Sequence, residues 1–486
     1  MNKRLNTLFV ALAMVLSLVM ASCSEKQPDY VTVIPKDATA VVSVDMKNVA
    51  EKANLAQSPL LSFARKSVGL FLNEKTKQQL DAVIDDPSLT GLDFSAPVYL
   101  FQTPNHCVGL TIKVGDDSMV EECLGVLAKQ NICSAVKSHD GLQWTTIMDE
   151  INVAFDDDAM LIMAQIEDRK AGSANSLEDM MLMLMQLPYE ESFAATDAGE
   201  KIRKLNCEDV DAYFNLAAMP SEIIEQIEPM MPAGVKYSEV QVVAGLEFLK
   251  GEADFKMQLL SNNDKVQKLI DEAADAFQPV DGTYLGIIPE GNKMWLSMGL
   301  KGDKALAQLK KIPQLKEKIF ALNMGIDFDN IVRAIDGDAL VIADSDGKIT
   351  LTARLGNTDF TKDIDYWMQS AREYGIEFRR YDDEQFKISA EGQNIYFAVH
   401  DDDIYLSEVP YWLGHYPEKA NLLKDEIVGK KMFALIDPGL QLAPFNKVIV
   451  TVDGEMVVTV RVQTQNVVDN VLKEILKKVT DGLIHF

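Results

Sequence analysis

Three consecutive aspartates at positions 156–158 are the first residues in this sequence whose type and spacing suggest chemistry. A second triad stands at positions 401–403, and apolar stretches flank both. Adjacent carboxylates could bind a cation, supply an acid–base pair or form the turn of a β-hairpin. A calcium loop needs alternating ligands, a glycine and a distal glutamate, and neither triad provides them. Because aspartate side chains bond nearby backbone groups in turns, we predict two hairpin turns, with weak cation binding as the alternative.

The segment 344–347, Asp-Ser-Asp-Gly, is closer to a calcium loop in its sequence. The EF-hand pattern, however, requires a glutamate at its twelfth position, which is Leu355 here. An Asp-Gly pair before an alternating strand is a signal for a hairpin. We therefore predict a turn at this segment as well.

Other motifs of catalysis and metal binding are missing from the sequence. The five histidines form no HExxH motif and no closely spaced pair; they are His106, His139, His400, His415 and His485. The sequence has no nucleophile elbow, P-loop or GxGxxG motif. We predict no catalytic residue, no metal site and no cofactor. A carboxylate pair of the glycosidase type stays open, since such pairs form in space and leave no sequence signature.

Four methionines, Met180, Met181, Met183 and Met185, fall within six residues. Ser176, with an aspartate three residues later, resembles a capping box, so a short helix is predicted here. Methionine-rich faces can bind partners flexibly, and thioethers can bind copper(I), although no histidine or cysteine lies beside these. We expect a core helix or a lid, with a partner-binding surface formed by the four methionines as the alternative.

The elements that must position these residues follow a strand–turn–helix pattern that occurs four times. The first pattern runs from an alternating strand at 110–114 into a helix whose apolar positions are 120, 123, 124 and 127. The other three begin at 255–259, 349–355 and 458–462. Strands with one polar face favour antiparallel sheets that helices cover on one side.

Short matches recur in the same order along the chain and indicate an internal duplication. The segments 37–42 and 91–94 are echoed by 281–285 and 325–328. The two aspartate triads and the Gly-Glu pairs at 251–252 and 454–455 continue the series. We therefore predict an α+β fold of two similar halves, residues 31–270 and 275–486. Each half would have an antiparallel sheet with helices packed on one face.

Composition and charge limit the class of protein. Hydrophobic residues make up 47% of the 486 residues and charged residues 25%, as in globular proteins. The net charge of −27 argues against nucleic acid as a partner, because nucleic-acid binding needs a basic surface. Cys107, Cys123, Cys133 and Cys207 lack zinc-type spacing. Cys123 is predicted to be a buried free thiol on a helix, and whether these cysteines form disulfides stays open.

The N-terminus is the most informative stretch for location. Lys3 and Arg4 precede an apolar run at 8–20, which is too short for a good transmembrane helix and typical of a signal peptide. The run ends in Met-Ala-Ser-Cys, the pattern of a bacterial lipobox, so residues 1–22 are predicted to be a lipoprotein signal peptide. Cys23 is then the lipidation site and residues 23–30 a lipidated tether, because acyl chains hold a soluble domain at a membrane. No second membrane span is expected.

The lipobox, the opening Val-Ile-Pro-Lys-Asp-Ala at 33–38 and Val44-Asp45 together resemble a family of Bacteroidota cell-envelope lipoproteins. That family is known as a domain of unknown function, and the resemblance covers nearly the whole mature chain. It implies a lipid-anchored protein of the cell envelope, at the outer membrane, with a two-part α+β fold. The family brings no catalytic residues, so Cys23 alone is carried over.

Three functions are compatible with these features. The first is a non-enzymatic lipoprotein that binds an envelope or cell-surface partner and contacts the membrane through its N-terminal lipid. The second is a hydrolase of envelope or dietary polymers with an unrecognised carboxylate pair, and the third is a structural or assembly factor. Two facing carboxylates of raised pKa in a cleft would favour the hydrolase. A large exposed apolar patch would favour the binding protein.

Overall fold

The computed structural model describes the chain from residue 29 to residue 484 with several gaps. The described residues are 29–57, 61, 65, 74–165, 176–205, 207–289, 292, 294–324, 326–344, 346–373, 375–383, 385–390, 392–410, 423–437, 445–464 and 469–484. The predicted signal peptide, Cys23 and nearly all of the tether lie outside the described residues, as do His415 and His485.

Strands and helices are mixed along the whole described chain. Up to residue 248 the order is β1 (Ala40–Val44), α1 (Met46–Ala53), α2 (Glu74–Asp85), β2 (Val98–Gln102), β3 (Cys107–Lys113), α3 (Asp117–Lys129), β4 (Lys137–His139), β5 (Leu142–Ile147), β6 (Ile151–Phe155), β7 (Ala159–Gln165), α4 (Leu177–Met185), α5 (Asp197–Leu205), β8 (Val210–Asn215), α6 (Ser221–Ile227) and β9 (Gln241–Phe248).

The order after β9 repeats many of these steps. It is β10 (Glu252–Leu260), α7 (Asp264–Ala274), β11 (Phe277–Gln278), β12 (Met294–Lys301), α8 (Gly302–Leu309), α9 (Pro313–Asn323), α10 (Phe328–Ala334), β13 (Ile335–Ala343), β14 (Ile349–Leu355), α11 (Ile364–Glu373), β15 (Glu377–Arg380), β16 (Gln385–Ala390), β17 (Gln393–His400), β18 (Asp403–Ser407), α12 (Lys424–Ile427), β19 (Met432–Ile436), β20 (Phe445–Val452), β21 (Val458–Thr464) and α13 (Val471–Ile484).

The chain divides into two compact units that are not contiguous in sequence. Unit 1 comprises the described residues of Met1–Ala218, Val242–Ala253 and Asn466–Phe486. Unit 2 comprises Met219–Gln241 and the described residues of Asp254–Gln465. The compact units are therefore not the predicted halves 31–270 and 275–486. Residues 219–241 with α6, most of β10 and α7 belong to unit 2, where α7 packs on α8. Helix α13 belongs to unit 1, where it packs on α1.

Each unit contains a run of hydrogen-bonded antiparallel strands. Neighbouring strands follow the order β4-β5-β6-β7-β3-β2-β1-β8 in unit 1. In unit 2 the order is β15-β16-β17-β18-β14-β13-β12-β19-β20-β21. In both runs a meander of four strands, β4–β7 or β15–β18, pairs with the strand that precedes it in the chain, β3 or β14. Earlier strands of the chain then continue the run. The prediction of an α+β fold with antiparallel pairing is confirmed.

Three of the predicted strand–turn–helix patterns are also confirmed, as β3–α3, β10–α7 and β14–α11. In the fourth, β21 is followed by α13, and residues 465–468 between them lie outside the described residues. Short polar side chains begin two of the helices. The Asp116 carboxylate accepts the N–H of Met119, and the side chain of Asn263 accepts the N–H of Lys265. These contacts satisfy N–H groups that the first helical turn leaves without a carbonyl partner.

Unit 1 carries helices on both faces of its strands, which differs from the one-face prediction. One hydrophobic cluster joins residues of α1 and α3 to Val153 on β6. Ala154, the next residue, points to the opposite face, and its cross-strand partner is Trp144 on β5. The Trp144 indole donates to the carboxylate of Glu178 on α4 at 2.8 Å, so α4 covers that face. All five residues of β6 are buried, as expected for a strand that other elements cover on both faces.

The predicted repeat pattern holds only in part. Residues 37–42 lead into β1, whereas 281–285 form a turn and the start of a 3-10 helix, so these two segments are not equivalent. Residues 92–94 and 326–328 each precede the second strand of their run, β2 and β13, although Gly325 lies outside the described residues. Gly251 and Gly454 both lie in the connections that lead into β10 and β21.

Helix α13 is tied into unit 1 by its first turn. The N–H of Val471 donates to the carbonyl of Leu249 at 3.0 Å, and the N–H of Gly251 donates to the carbonyl of Asp469 at the same distance. The Asn470 amide donates to the carbonyl of Phe248 at 2.8 Å. Since the Val471 side chain is fully buried, the end of the chain contributes to the core of the unit that contains its beginning.

Substitution of Val471 by aspartate is therefore expected to destabilise unit 1, by roughly 3 kcal/mol, because an unpaired carboxylate would enter the core. Hydrogen exchange read by mass spectrometry should show faster exchange in α1 and β9, while β13 and β14 keep their protection. The exposed Lys477→Ala on the same helix serves as a control. Faster exchange in β13 and β14 instead would show that α13 belongs to the second half.

Candidate functional site

The first aspartate triad forms the turn between β6 and β7, as predicted. The Asp156 carboxylate accepts the N–H groups of Asp158 at 3.0 Å and Ala159 at 2.8 Å. The N–H of Asp156 in turn donates to the carbonyl of Ala159, which closes the turn. The carboxylate of Asp156 therefore bonds the backbone of its own turn.

The second triad also lies at a hairpin, but it is shifted by one position along the strands. β17 ends at His400, β18 begins at Asp403, and these two residues pair across the hairpin. In the first hairpin the corresponding closing residues are Asp156 and Ala159. Asp401 and Asp402 form the turn, with Asp401 in the left-handed region at φ 49°. Asp403 is therefore a strand residue, and its side chain can bond groups outside the turn.

The turn predicted at 344–347 joins β13 to β14 and is confirmed. The Asp344 carboxylate accepts the N–H groups of Asp346 at 2.8 Å and Lys348 at 2.9 Å. Gly347 has φ 79°, which the turn requires and which glycine adopts without strain. Within the part of the chain that the structure describes, no group of three or more His, Cys, Asp and Glu side chains is arranged to hold a metal ion.

Helix α4 contains the methionine cluster and has the predicted capping box, in which Ser176 and Asp179 bond each other's backbone N–H. Met180 is 7% exposed and Met181 is fully buried against the strands β6 and β7. Met183 is 54% exposed and Met185 is half-buried. The structure therefore separates the four methionines into two that belong to the core and two that a partner could reach.

Among the described residues, the four cysteines form no disulfide with one another. Cys107 and Cys133 are buried, whereas Cys207 and Cys123 are partly exposed. Cys123 lies on α3 as predicted, but it is only half-buried, and burial raises the pKa of its thiol. Among the described residues, no helix combines the length and the apolar character that a bilayer span would need.

Unit 2 contains a polar network that the sequence did not reveal. In this network Asp338, whose pKa is raised, lies beside the carboxyl group of Asp281. The network begins at a bulge in β13, where residues 336–338 face the single residue Arg354 on β14. Gly337 has φ 135°, and a side chain there would collide with Arg354, with a Cβ only 2.9 Å from Cγ. The bulge turns Asp338 inward, so that it is 3% exposed.

The Asp338 carboxylate accepts three backbone N–H groups from one short segment. The donors are Asp281 at 3.0 Å, Gly282 at 2.8 Å and Thr283 at 2.9 Å. We call this arrangement the Asp338 clasp, because it fastens residues 281–283 to β13. The Asp281 carboxylate, which is exposed, accepts the N–H of Thr283 at 2.9 Å and closes the turn from the other side.

The carboxyl groups of Asp281 and Asp338 are close enough to shift each other's pKa. Burial, together with the neighbouring Asp281 carboxyl, raises the pKa of Asp338 to about 6. The hydrogen bond from Asp338 lowers the pKa of Asp281. The raised and lowered pKa values are the pattern of an acid–base pair, yet the oxygen atoms of Asp338 already accept three N–H groups.

A second part of the network adjoins the clasp at Tyr284. The Tyr284 hydroxyl donates to Asp403 at 2.6 Å, and the Arg354 guanidinium donates to the same carboxylate oxygen at 3.0 Å. Burial, with the adjacent Asp403 carboxylate, raises the pKa of the Tyr284 hydroxyl. The last residue of the second triad therefore bonds a buried tyrosine and an arginine on the neighbouring strand.

Unit 1 has a related tyrosine but a different network. The spacing Tyr-x3-Ile-Pro occurs at 30–35 and again at 284–289, and each tyrosine lies beside a 3-10 helix ahead of the first strand of its run. Tyr30 donates to the carbonyl of Pro97 at 2.7 Å instead of to a carboxylate. The spacing marks both tyrosines in the sequence, but their hydrogen-bond partners differ, so the spacing alone does not locate the network.

Unit 1 contains another buried carboxylate, Asp209, which also forms hydrogen bonds within the fold. Asp209 is 1% exposed and accepts the Lys52 ammonium at 2.8 Å and the N–H of Phe248 at 2.6 Å. These bonds join α1 to β9 through the segment that leads into β8. Asp209 and Asp338 thus resemble each other: each is a buried carboxylate whose bonds hold separate elements of one unit together.

Comparisons with known proteins add one family. The model of the family described as DUF4836, a domain of unknown function, matches residues 30–409, which is most of the chain. No curated protein and no solved structure matches the chain.

Replacement of Asp338 by alanine is expected to lower the free energy of unfolding by about 2 kcal/mol, because three buried N–H groups would lose their acceptor. Asp336→Ala, two residues away and exposed, should cost less than about 0.5 kcal/mol. Urea unfolding of the three proteins checks this difference. Equal losses in both variants would contradict the clasp.

The stability should also depend on pH through Asp338. Its pKa is about 6 in the folded chain against an ordinary value of 3.8, so between these values the folded state holds a proton that the unfolded state has lost. Its contribution to stability is therefore complete below about pH 4 and is lost as the pH rises through 6. Unfolding of wild type and Asp338→Asn across this range should show wild type losing stability relative to the variant. A constant difference would show that Asp338 titrates normally.

Proposed function

We propose that this chain, which belongs to the DUF4836 family, is a lipid-anchored protein of the bacterial cell envelope that binds another macromolecule and does not act as an enzyme. One observation carries the proposal: the buried carboxylates Asp338 and Asp209 form hydrogen bonds within the fold. Asp338 is 3% exposed and accepts three backbone N–H groups. Asp209 is 1% exposed, and one of its oxygens accepts Lys52 and the N–H of Phe248, whereas the other has no hydrogen-bond partner among the described residues. A catalytic carboxylate must instead face a substrate.

The proposed anchor rests on the sequence of the N-terminus. A basic start, a short apolar run and small residues before Cys23 support cleavage after residue 22 and lipidation of that cysteine. Residues 23–30 would then tether the folded units to the outer membrane of a Bacteroidota-type envelope, and the strongly negative charge of the chain favours solubility there.

An internal duplication is proposed as the origin of the fold. The shared strand order of the two runs supports it, as does the Tyr-x3-Ile-Pro spacing. Ser43 and Ser297 follow the two prolines at equal distances on β1 and β12, and both are buried polar residues. Helices α7 and α13 end the two repeats, and each lies in the unit of the other repeat.

A hydrolase is the second candidate, and one observation favours it: the pKa of Asp338 is raised to about 6 beside a carboxyl whose pKa is lowered. Under this alternative, Asp281 is the accessible member of the pair and Asp338 holds the proton. Release of sugars or peptides from envelope or dietary polymers by wild type, and its loss in Asp281→Asn, would establish the hydrolase and overturn the binding proposal.

Substitution Cys23→Ala tests the anchor. The variant should move from the membrane fraction to the soluble fraction of the envelope and should take up no labelled fatty acid, because the thiol that carries the lipid is gone. Cys207→Ala, a control at a cysteine of the folded chain, should remain membrane-bound and labelled. Continued labelling of Cys23→Ala would contradict lipidation at this position.

A further inference from the structure

We draw no further inference here: the strongest candidate, the apolar patch that the exposed side chains of Met294, Ile349 and Ile436 form on one face of the unit 2 strands β12, β14 and β19, is a sheet face for which nothing among the described residues shows what covers it.

Discussion

Hydrogen bonds to the Asp338 carboxylate hold residues 281–283 against β13, and the position of the segment that precedes β12 depends on this interaction. A buried carboxylate is stable only when donors surround it, and here three consecutive N–H groups of 281–283 supply them. The bulge at 336–338 exists opposite Arg354 because Gly337 adopts a φ that leaves room for the arginine side chain. Tyr284 follows the clasp directly, and its hydroxyl donates to the Asp403 carboxylate at 2.6 Å. The bonds of Asp338 link β13 to the segment that precedes β12, and the bonds of Tyr284 and Arg354 to Asp403 link that segment to β14 and β18.

Local features of this fold could be predicted from the sequence because neighbouring residues determine them. The strand–turn–helix units follow from apolar periodicity and from caps such as Asp116, and the hairpins follow from turn-forming aspartates. The capping box of Ser176 is equally local. In each case the contacts join residues that are at most a few positions apart, so the pattern is visible in the chain itself.

Contacts between distant residues could not be predicted in this way. The pairing of Asp338 with 281–283 joins positions more than fifty residues apart, and no local pattern marks it. The exchange of α7 and α13 between the units is invisible for the same reason. The aspartate triads show the limit clearly. Both lie at hairpins, but a shift of one position leaves the last aspartate of the first triad, Asp158, in the turn and places the last of the second, Asp403, on a strand as a partner of Tyr284 and Arg354. Since side chains alternate between the faces of a strand, one position is enough to change a role.

We infer that Asp338 is committed to the fold and is therefore not available for catalysis. Native-state hydrogen exchange of the amides of Asp281, Gly282 and Thr283, followed by NMR, measures this most directly. The clasp predicts that all three exchange as slowly as the amides of β13, because they open only when unit 2 unfolds. Exchange at the rate of an exposed loop would contradict it, and would leave Asp338 free to act on a substrate.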